Sequence, residues 1–310
     1  MLTKVDRISG GLIGLLVGDA LGVPYEFHAA GEIPALARIE MEPPIEFVRS
    51  HRTTPIGTWS DDGAQALCLL ASLLHCNCLD PDDLGGRLVD WYDRGYMAVD
   101  GRVFDVGIHT ARVVHEIASG MPVLAAGALG DRARGNGSLM RVLPLVLWHR
   151  GSDESLVADA HLQSRVTHGD NYCQICCALY CLWARRILEQ SNDPWQHATA
   201  KLRQIYAIDP PFLDILDWAI RPDDEPEGRG GGYVIDCLRS ARMVMAESSY
   251  EMVVKAAVAL GDDTDTTACV AGGVAGLRDG IGAIPTRWRE LLRGTEIVTP
   301  LLDLLLQQHN

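Results

Sequence analysis

The stretch that decides the fold is "ALGDDTDTTACVAGGVAGL", Ala259–Leu277. Apolar runs flank it on both sides: "MVVKAAVAL" before and "ACVAGGVAGL" after. Both have the composition of buried helices, yet Asp262, Asp263, Asp265 and three threonines fill the gap between them. The nearest cations along the chain are Lys255 and Arg278. Burying a carboxylate costs several kcal/mol unless an opposite charge compensates it, so this segment demands a counter-charge that its own sequence does not supply.

A second stretch repeats the pattern. In "GTWSDDGAQALCLL", Gly57–Leu70, Ser60, Asp61 and Asp62 directly precede an apolar helix. Taken alone, either stretch is a helix cap, because Ser and Asp accept from free N–H groups and acids suit the positive helix end. A cap needs one side chain, however, and here each helix start is crowded with them. Asp61, Asp62, Asp263 and Asp265, with hydroxyls from Ser60 and Thr266, make an oxygen-only ligand set suited to Mg²⁺ or Mn²⁺. Four carboxylates exceed the needs of one cation, which points to a two-metal site.

Working outward, helical periodicity dominates and no convincing period-two strand is present. Helices are expected within "GGLIGLLVGDAL", "AQALCLLASLLHC", "SLMRVLPLVLWHR", "NYCQICCALYCLWARRILEQ" and "VIDCLRSARMVMAE", among others. Two long loops interrupt them, Ala29–Thr58 and Arg221–Tyr233. Because the charged motifs lie on both sides of both loops, the expectation is one all-α body over residues 1–310 with the loops across its mouth.

Composition narrows the function. The 310 residues are 47% hydrophobic, and the net charge is −14. That argues against a nucleic-acid surface or an anionic membrane as partner. The N-terminal run resembles a secretory signal, but Asp19 interrupts it and no cleavage site follows. Among nine cysteines, Cys173, Cys176, Cys177 and Cys181 have helical spacing and read as a packed apolar face rather than a thiolate metal site; the composition suits a reducing cytoplasm.

Three further motifs carry chemistry. "GNGSLMR", Gly135–Arg141, opens an expected helix, and its glycines allow close approach of a phosphate to free N–H groups. "GDALGVPYEF", Gly18–Phe27, places Glu26 just beyond the first helix, and "VTHG" places His168 between two helices.

These motifs, in this order, resemble the ADP-ribosylglycohydrolase family over nearly the whole chain. "GLIGLLVGDALGVPYEF" looks like its amino-terminal signature, "WSDDG" and "DTDTTACVAGGVAG" its metal motifs, "GNGSLMRVLPL" its phosphate loop, "THG" its middle motif and "GGGYVIDCLRSA" its adenosine-side segment. The resemblance implies a multi-helix orthogonal bundle holding two Mg²⁺ or Mn²⁺, which removes ADP-ribose from a modified side chain. Ser60, Asp61, Asp62, Asp263, Asp265 and Thr266 would hold the metals. Glu26, Asp62 and Asp263 would be the catalytic carboxylates, with the proton-transfer role open between Glu26 and Asp263. Gly135, Asn136, Gly137 and Ser138 would hold the diphosphate, His168 would lie near the substrate, and Tyr233 and Val234 would border the adenosine. The implied partners are an ADP-ribosylated protein, with arginine linkage favoured, and the ADP-ribose product; the implied state is a cytoplasmic monomer. A hydrolase of a small or nucleic-acid-linked ADP-ribosyl compound, and a non-catalytic protein that occludes a transferase, are the competing readings. Gly63 departs from the usual Thr, Asp262 from the usual Gly and Ala259 from the usual Asn.

Overall fold

In a computed structural model, which describes residues 2–127, 129–130 and 133–309, the chain folds into α1 (Lys4–Gly22), α2 (Asp61–Cys76), α3 (Pro81–Arg94), α4 (Ile108–Ala118), α5 (Val123–Ala126), α6 (Leu143–Trp148), α7 (Asp153–Arg165), α8 (Asn171–Leu188), α9 (Pro194–Tyr206), α10 (Pro210–Asp214), α11 (Val234–Val244), α12 (Tyr250–Val258), α13 (Thr264–Asp279), α14 (Thr286–Leu291) and α15 (Thr295–Gln307). Among the described residues there are no strands, only two isolated bridges, Ala29 with Gly261 and Gly135 with Tyr233. The fold is all-α, as expected.

Its centre is the antiparallel pair α1–α13. Gly10, Gly14, Gly18 and Gly22 recur every fourth residue along one face of α1. A Cβ at Gly10 would lie 2.3 Å from the Gly276 carbonyl oxygen, and one at Gly18 would lie 2.1 Å from that of Ala268. Only hydrogen at these positions lets the two backbones touch. This contact seats Gly22 against Asp265, so the stripe that joins the helices also carries the acidic start of α13 to the end of α1. One apolar cluster surrounds the pair, from Ile8 to Leu305, and takes in Trp59, Trp91 and Trp288.

By length and composition α1 could cross a membrane, but 94% of its most apolar window is buried inside the protein. The four α8 cysteines are likewise core residues.

One expectation needs correction. "SLMRVLPLVLWHR" was expected to be helical from Ser138, but the regular helix runs only from Leu143 to Trp148. Pro144 fits only a helix's first turn, and the preceding residues form turns that close on the Asn136 carbonyl, with Leu139 N at 2.8 Å and Met140 N at 3.1 Å. The helix α15, with Pro300 inside it, and the π-helical segment Ile215–Ile220 were not anticipated.

Candidate active site

The site forms where the starts of α2 and α13 meet the end of α1. On α2, Ser60 does cap the helix, its hydroxyl accepting from Asp62 N at 3.3 Å. Asp263 holds the corresponding position on α13 but makes no capping bond; its Oδ2 accepts instead from Asn136 Nδ2 at 2.8 Å. Thr266 Oγ1 donates to Asp62 Oδ1 at 3.2 Å, linking the two starts. Asp19 of α1, fully buried, accepts from Ser60 N and Gly63 N at 2.8 Å each. That carboxylate fixes the α2 start. An aspartate inside an apolar helix was the signal for this role, which the sequence reading left unassigned.

These contacts produce two groups of three carboxylates, Asp19–Asp62–Asp265 and Glu26–Asp263–Asp265, each with one oxygen per residue within 4.8 Å of the others. Asp265 belongs to both. Asp62 Oδ2 and Asp265 Oδ2 are buried without a hydrogen-bond partner. Burial, and then the neighbouring carboxylates, push Asp61, Asp62 and Asp265 well above the usual carboxylate range. Orphaned carboxyl oxygens among hard donors, which a cation would hold ionised, fit divalent cations such as Mg²⁺ or Mn²⁺. Ser60, Asp61, Asp62, Asp263, Asp265 and Thr266 are thus gathered at one place.

Asp61 is braced from behind. Its Oδ2 accepts from Gln65 Nε2 at 3.0 Å, and Gln65 Oε1 accepts from Arg141 Nη1 at 3.0 Å. Arg141 is completely buried, and its other donors reach Gln163 Oε1 at 3.2 Å and Gln163 O at 2.9 Å. The arginine of "GNGSLMR" therefore supports the α2 carboxylate from within the core.

Above the carboxylates opens a cavity of about 870 Å³, lined by Glu26, Asp61, Asp105, Gly137, His168 and Asp263 among others. Asn136 N donates to Gly232 O at 3.0 Å and Asp263 N to Gly230 O at 2.9 Å, stitching the glycine loop and the 221–233 loop to the α13 start. Gly135, Asn136 and Gly137 line the cavity. Ser138 does not: its hydroxyl meets Ser164 Oγ at 2.9 Å in the core. With no helix opening at Ser138 and Asn136 N already engaged, the expected helix-terminus phosphate cradle gives way to an irregular glycine turn. Val234 is likewise a core side chain. Tyr233 is half-exposed and lines a neighbouring cavity with Arg221, Arg229 and Arg239.

His168 lines the cavity, with Nδ1 2.8 Å from Thr167 Oγ1. Burial, aided by Arg141 and His109, pushes it down to about 3, so the ring is neutral. Glu26 is buried, and its Oε2 lies 2.7 Å from His51 Nε2. Burial, then Asp105, Asp263 and Asp61, push this carboxyl up to about 11. His51 and Asp105 carry no sequence signal of this role, because both come from loops without periodicity. Phe27, His51, Asp105 and Asp262 all take left-handed φ, between 47° and 63°, and such strained non-glycine residues gather at functional sites.

Of the departures, Gly63 has a packing reason and Asp262 sits against its backbone preference. Asp262 has φ 63°, a backbone that favours glycine. Its N–H donates to His28 O at 2.7 Å, which holds the conformation. A Cβ at Gly63 would meet Leu16 and Trp59 at 2.8 Å, so this core has no room for the larger residue.

The family model of ADP-ribosylglycohydrolases matches residues 1–310. The chain is 27% identical over 303 residues to the ADP-ribosylarginine hydrolase Tri1 of Pseudomonas putida, covering 97% of this chain and 78% of that protein. It is 26% identical to the ADP-ribosyl-[dinitrogen reductase] glycohydrolase of Rhodospirillum rubrum, covering 91% and 89%. A solved structure titled ADP-ribosylglycohydrolase-related protein complex superposes with a TM-score of 0.79 at 30% identity, covering 99% of both chains. The chain belongs to the ADP-ribosylglycohydrolase family.

Proposed function

We propose that this member of the family is a divalent-cation-dependent hydrolase that releases ADP-ribose from a modified protein side chain, with arginine the preferred linkage. One observation carries the reading: two groups of three carboxylates share Asp265 on the floor of a cavity, with orphaned buried oxygens in both Asp62 and Asp265. Relatives named ADP-ribosylarginine hydrolase and ADP-ribosylhydrolase support the substrate class.

Two Mg²⁺ or Mn²⁺ would be held by Ser60, Asp61, Asp62, Asp263, Asp265 and Thr266, and would supply Lewis acidity toward the ribose hydroxyls and the attacking water. The chain does the rest. Glycosidic cleavage passes through an oxocarbenium-like state and needs a proton at the leaving group. Glu26, buried in the cavity wall beside Asp105, would hold that proton. His51 orients it from 2.7 Å. Asn136 fixes Asp263 on the opposite wall. The turn Gly135–Gly137 lets the diphosphate approach the backbone, and His168 offers a neutral ring to the same region. Asp105 and Asp262, on the cavity wall and outside the ligand set, favour a cationic leaving group such as guanidine over a neutral hydroxyl.

The test is a panel of arginine-, serine- and other linkage-defined ADP-ribosylated proteins. They are assayed after chelation and again after adding Mg²⁺ or Mn²⁺. ADP-ribose release from the arginine-linked member, restored only by metal, is the expected result. Full turnover in chelator, or equal rates on all linkages, would overturn the metal dependence or the arginine preference respectively.

A further inference from the structure

The active-site carboxylates stand at the start of α2. A chemically different cluster stands at its other end, about 24 Å away for a helix of this length. The segment is "LLHCNCLDPDD", Leu73–Asp83. Asn77 ends α2 in the left-handed conformation, its N–H returning to Leu73 O at 3.0 Å. Asp80 then caps α3, accepting from Asp82 N and Asp83 N at 2.9 and 3.1 Å, with Pro81 at the first position. This tight turn folds the first turn of α3 back onto the last turn of α2. A ring nitrogen of His75, the Cys76 sulfur and a carboxylate oxygen of Asp83 come within 4.8 Å of one another.

We propose that His75, Cys76 and Asp83, with Cys78 of the connecting turn as fourth donor, form a second metal site, for Zn²⁺ or a similarly soft divalent ion. Tetrahedral zinc with bonds of about 2.0–2.3 Å sets its ligand atoms roughly 3.3–3.8 Å apart, so His75, Cys76 and Asp83 need only a small contraction, and Cys78, outside that group of three, must swing in from the turn. The donor set excludes the hard cations of the active site: thiolate and imidazole select zinc, while carboxylates and hydroxyls select magnesium and manganese. Cys76 and Cys78 are also the two cysteines that are not buried, so an ion in solution can reach them.

Asp83 is held for the task. Arg87 donates to its Oδ2 from Nε at 2.6 Å and more loosely to Oδ1 from Nη2 at 3.4 Å. Arg87 is itself anchored on Tyr96 Oη at 2.7 Å. A carboxylate oriented by an outer donor, with lone pairs to spare, is a usual metal ligand. The cluster also lies at the negative end of the α2 dipole, which favours a cation there as surely as the other end favours carboxylates. Binding converts two thiols to thiolates and releases two protons, with the imidazole neutral.

The experiment uses the full chain, reduced and stripped of metal, titrated with Co²⁺ as a spectroscopic stand-in for Zn²⁺. A tetrahedral thiolate site gives an intense thiolate-to-cobalt charge-transfer band, and the oxygen ligands of the active site cannot. One Co²⁺ per chain with that band is expected, displaced by Zn²⁺. Cys76→Ser should abolish it, and Cys78→Ser or Asp83→Asn should weaken binding at least tenfold, with far-ultraviolet circular dichroism and hydrolase turnover unchanged. No thiolate band in the wild type, or a band that survives in the doubly substituted Cys76→Ser/Cys78→Ser chain, would overturn the proposal.

Discussion

Two groups of acidic residues in this molecule meet opposite fates. Glu40 and Glu251 share two cations. Lys255 Nζ lies 3.0 Å from Glu40 and 2.9 Å from Glu251, and Arg287 reaches both, at 2.9 and 2.5 Å. Trp288 Nε1 donates to Glu40 as well, at 2.6 Å. Burial alone would push Glu40 up, but the bonds from Arg287, Trp288 and Lys255 win and hold it down at about 2. Among the described residues, no lysine or arginine forms an ion pair with Asp19, Asp61, Asp62, Asp263 or Asp265, and Glu26 meets His51. Of the two cations nearest to them in sequence, Lys255 is committed to Glu40 and Glu251, and Arg278 to Asp279 and to the carbonyls of Met245 and Glu247. The same residue type, buried without a protein cation, is pushed up instead. The first group completes itself within the chain, whereas the second leaves Asp62 Oδ2 and Asp265 Oδ2 buried without a hydrogen-bond partner among the described residues.

The widest gap between the groups should come from Asp265→Ala. Because both triads share this residue, its loss should cut turnover by more than the roughly 10–100-fold typical of losing an outer partner. The metal-free protein should hold or gain stability as repulsion falls. Glu40→Gln should do the reverse: turnover stays within a few fold while the melting temperature drops. Comparable turnover losses in the two variants would break the comparison.

Glu26→Gln removes the proton but keeps the shape. Turnover should fall roughly 10²–10⁴-fold, with metal and ADP-ribose affinity nearly unchanged by calorimetry. A larger change in KM than in kcat would mark Glu26 as an entry gate instead.

Gln65→Met tests the brace behind Asp61. Metal affinity should weaken by roughly 10–100-fold, read by Mn²⁺ titration; an unchanged affinity would reduce the Arg141–Gln65 chain to packing.

The pH responses should have opposite signs. Burial pushes Asp19 from 3.8 up to about 7, so it takes up a proton on folding and its stabilising contribution is lost as pH rises through 7. A bound cation cancels that loss, so the rise in melting temperature on adding Mg²⁺ or Mn²⁺ should be larger at pH 7.5 than at pH 5. Glu40, lowered from 4.5 to about 2, contributes stability above pH 4.5 that is lost as pH falls toward 2. Glu40→Gln should flatten that acid limb, as followed by thermal melts.

The smallest effect concerns Asp262. Left-handed backbone costs an L-residue roughly 1–2 kcal/mol, less for aspartate, against about 0.5–1 kcal/mol of added chain entropy for glycine. Asp262→Gly should therefore stabilise by at most about 1 kcal/mol in urea unfolding. A raised KM for arginine-linked substrate alone would show that this carboxylate also reads the leaving group.

Sequence alone determined that the chain is helical and that its two acidic helix starts exceed what capping requires. Apolar periodicity and surplus charge are local properties, visible wherever the chain is read. It also held, unread, the four-residue glycine spacing of α1 that lets α1 and α13 touch. What it could not decide was which of identical residues does which work. Ser60 caps its helix while Asp263, in the same position, does not. Ser138 and Val234 turn into the core, and Asp19, His51 and Asp105 join the site from a helix interior and two irregular loops. Those outcomes depend on which distant groups reach each side chain first. Asn136 takes Asp263, Thr266 takes Asp62, and Lys255 is taken by Glu40; each pairing joins residues far apart in sequence that only the folded chain brings together.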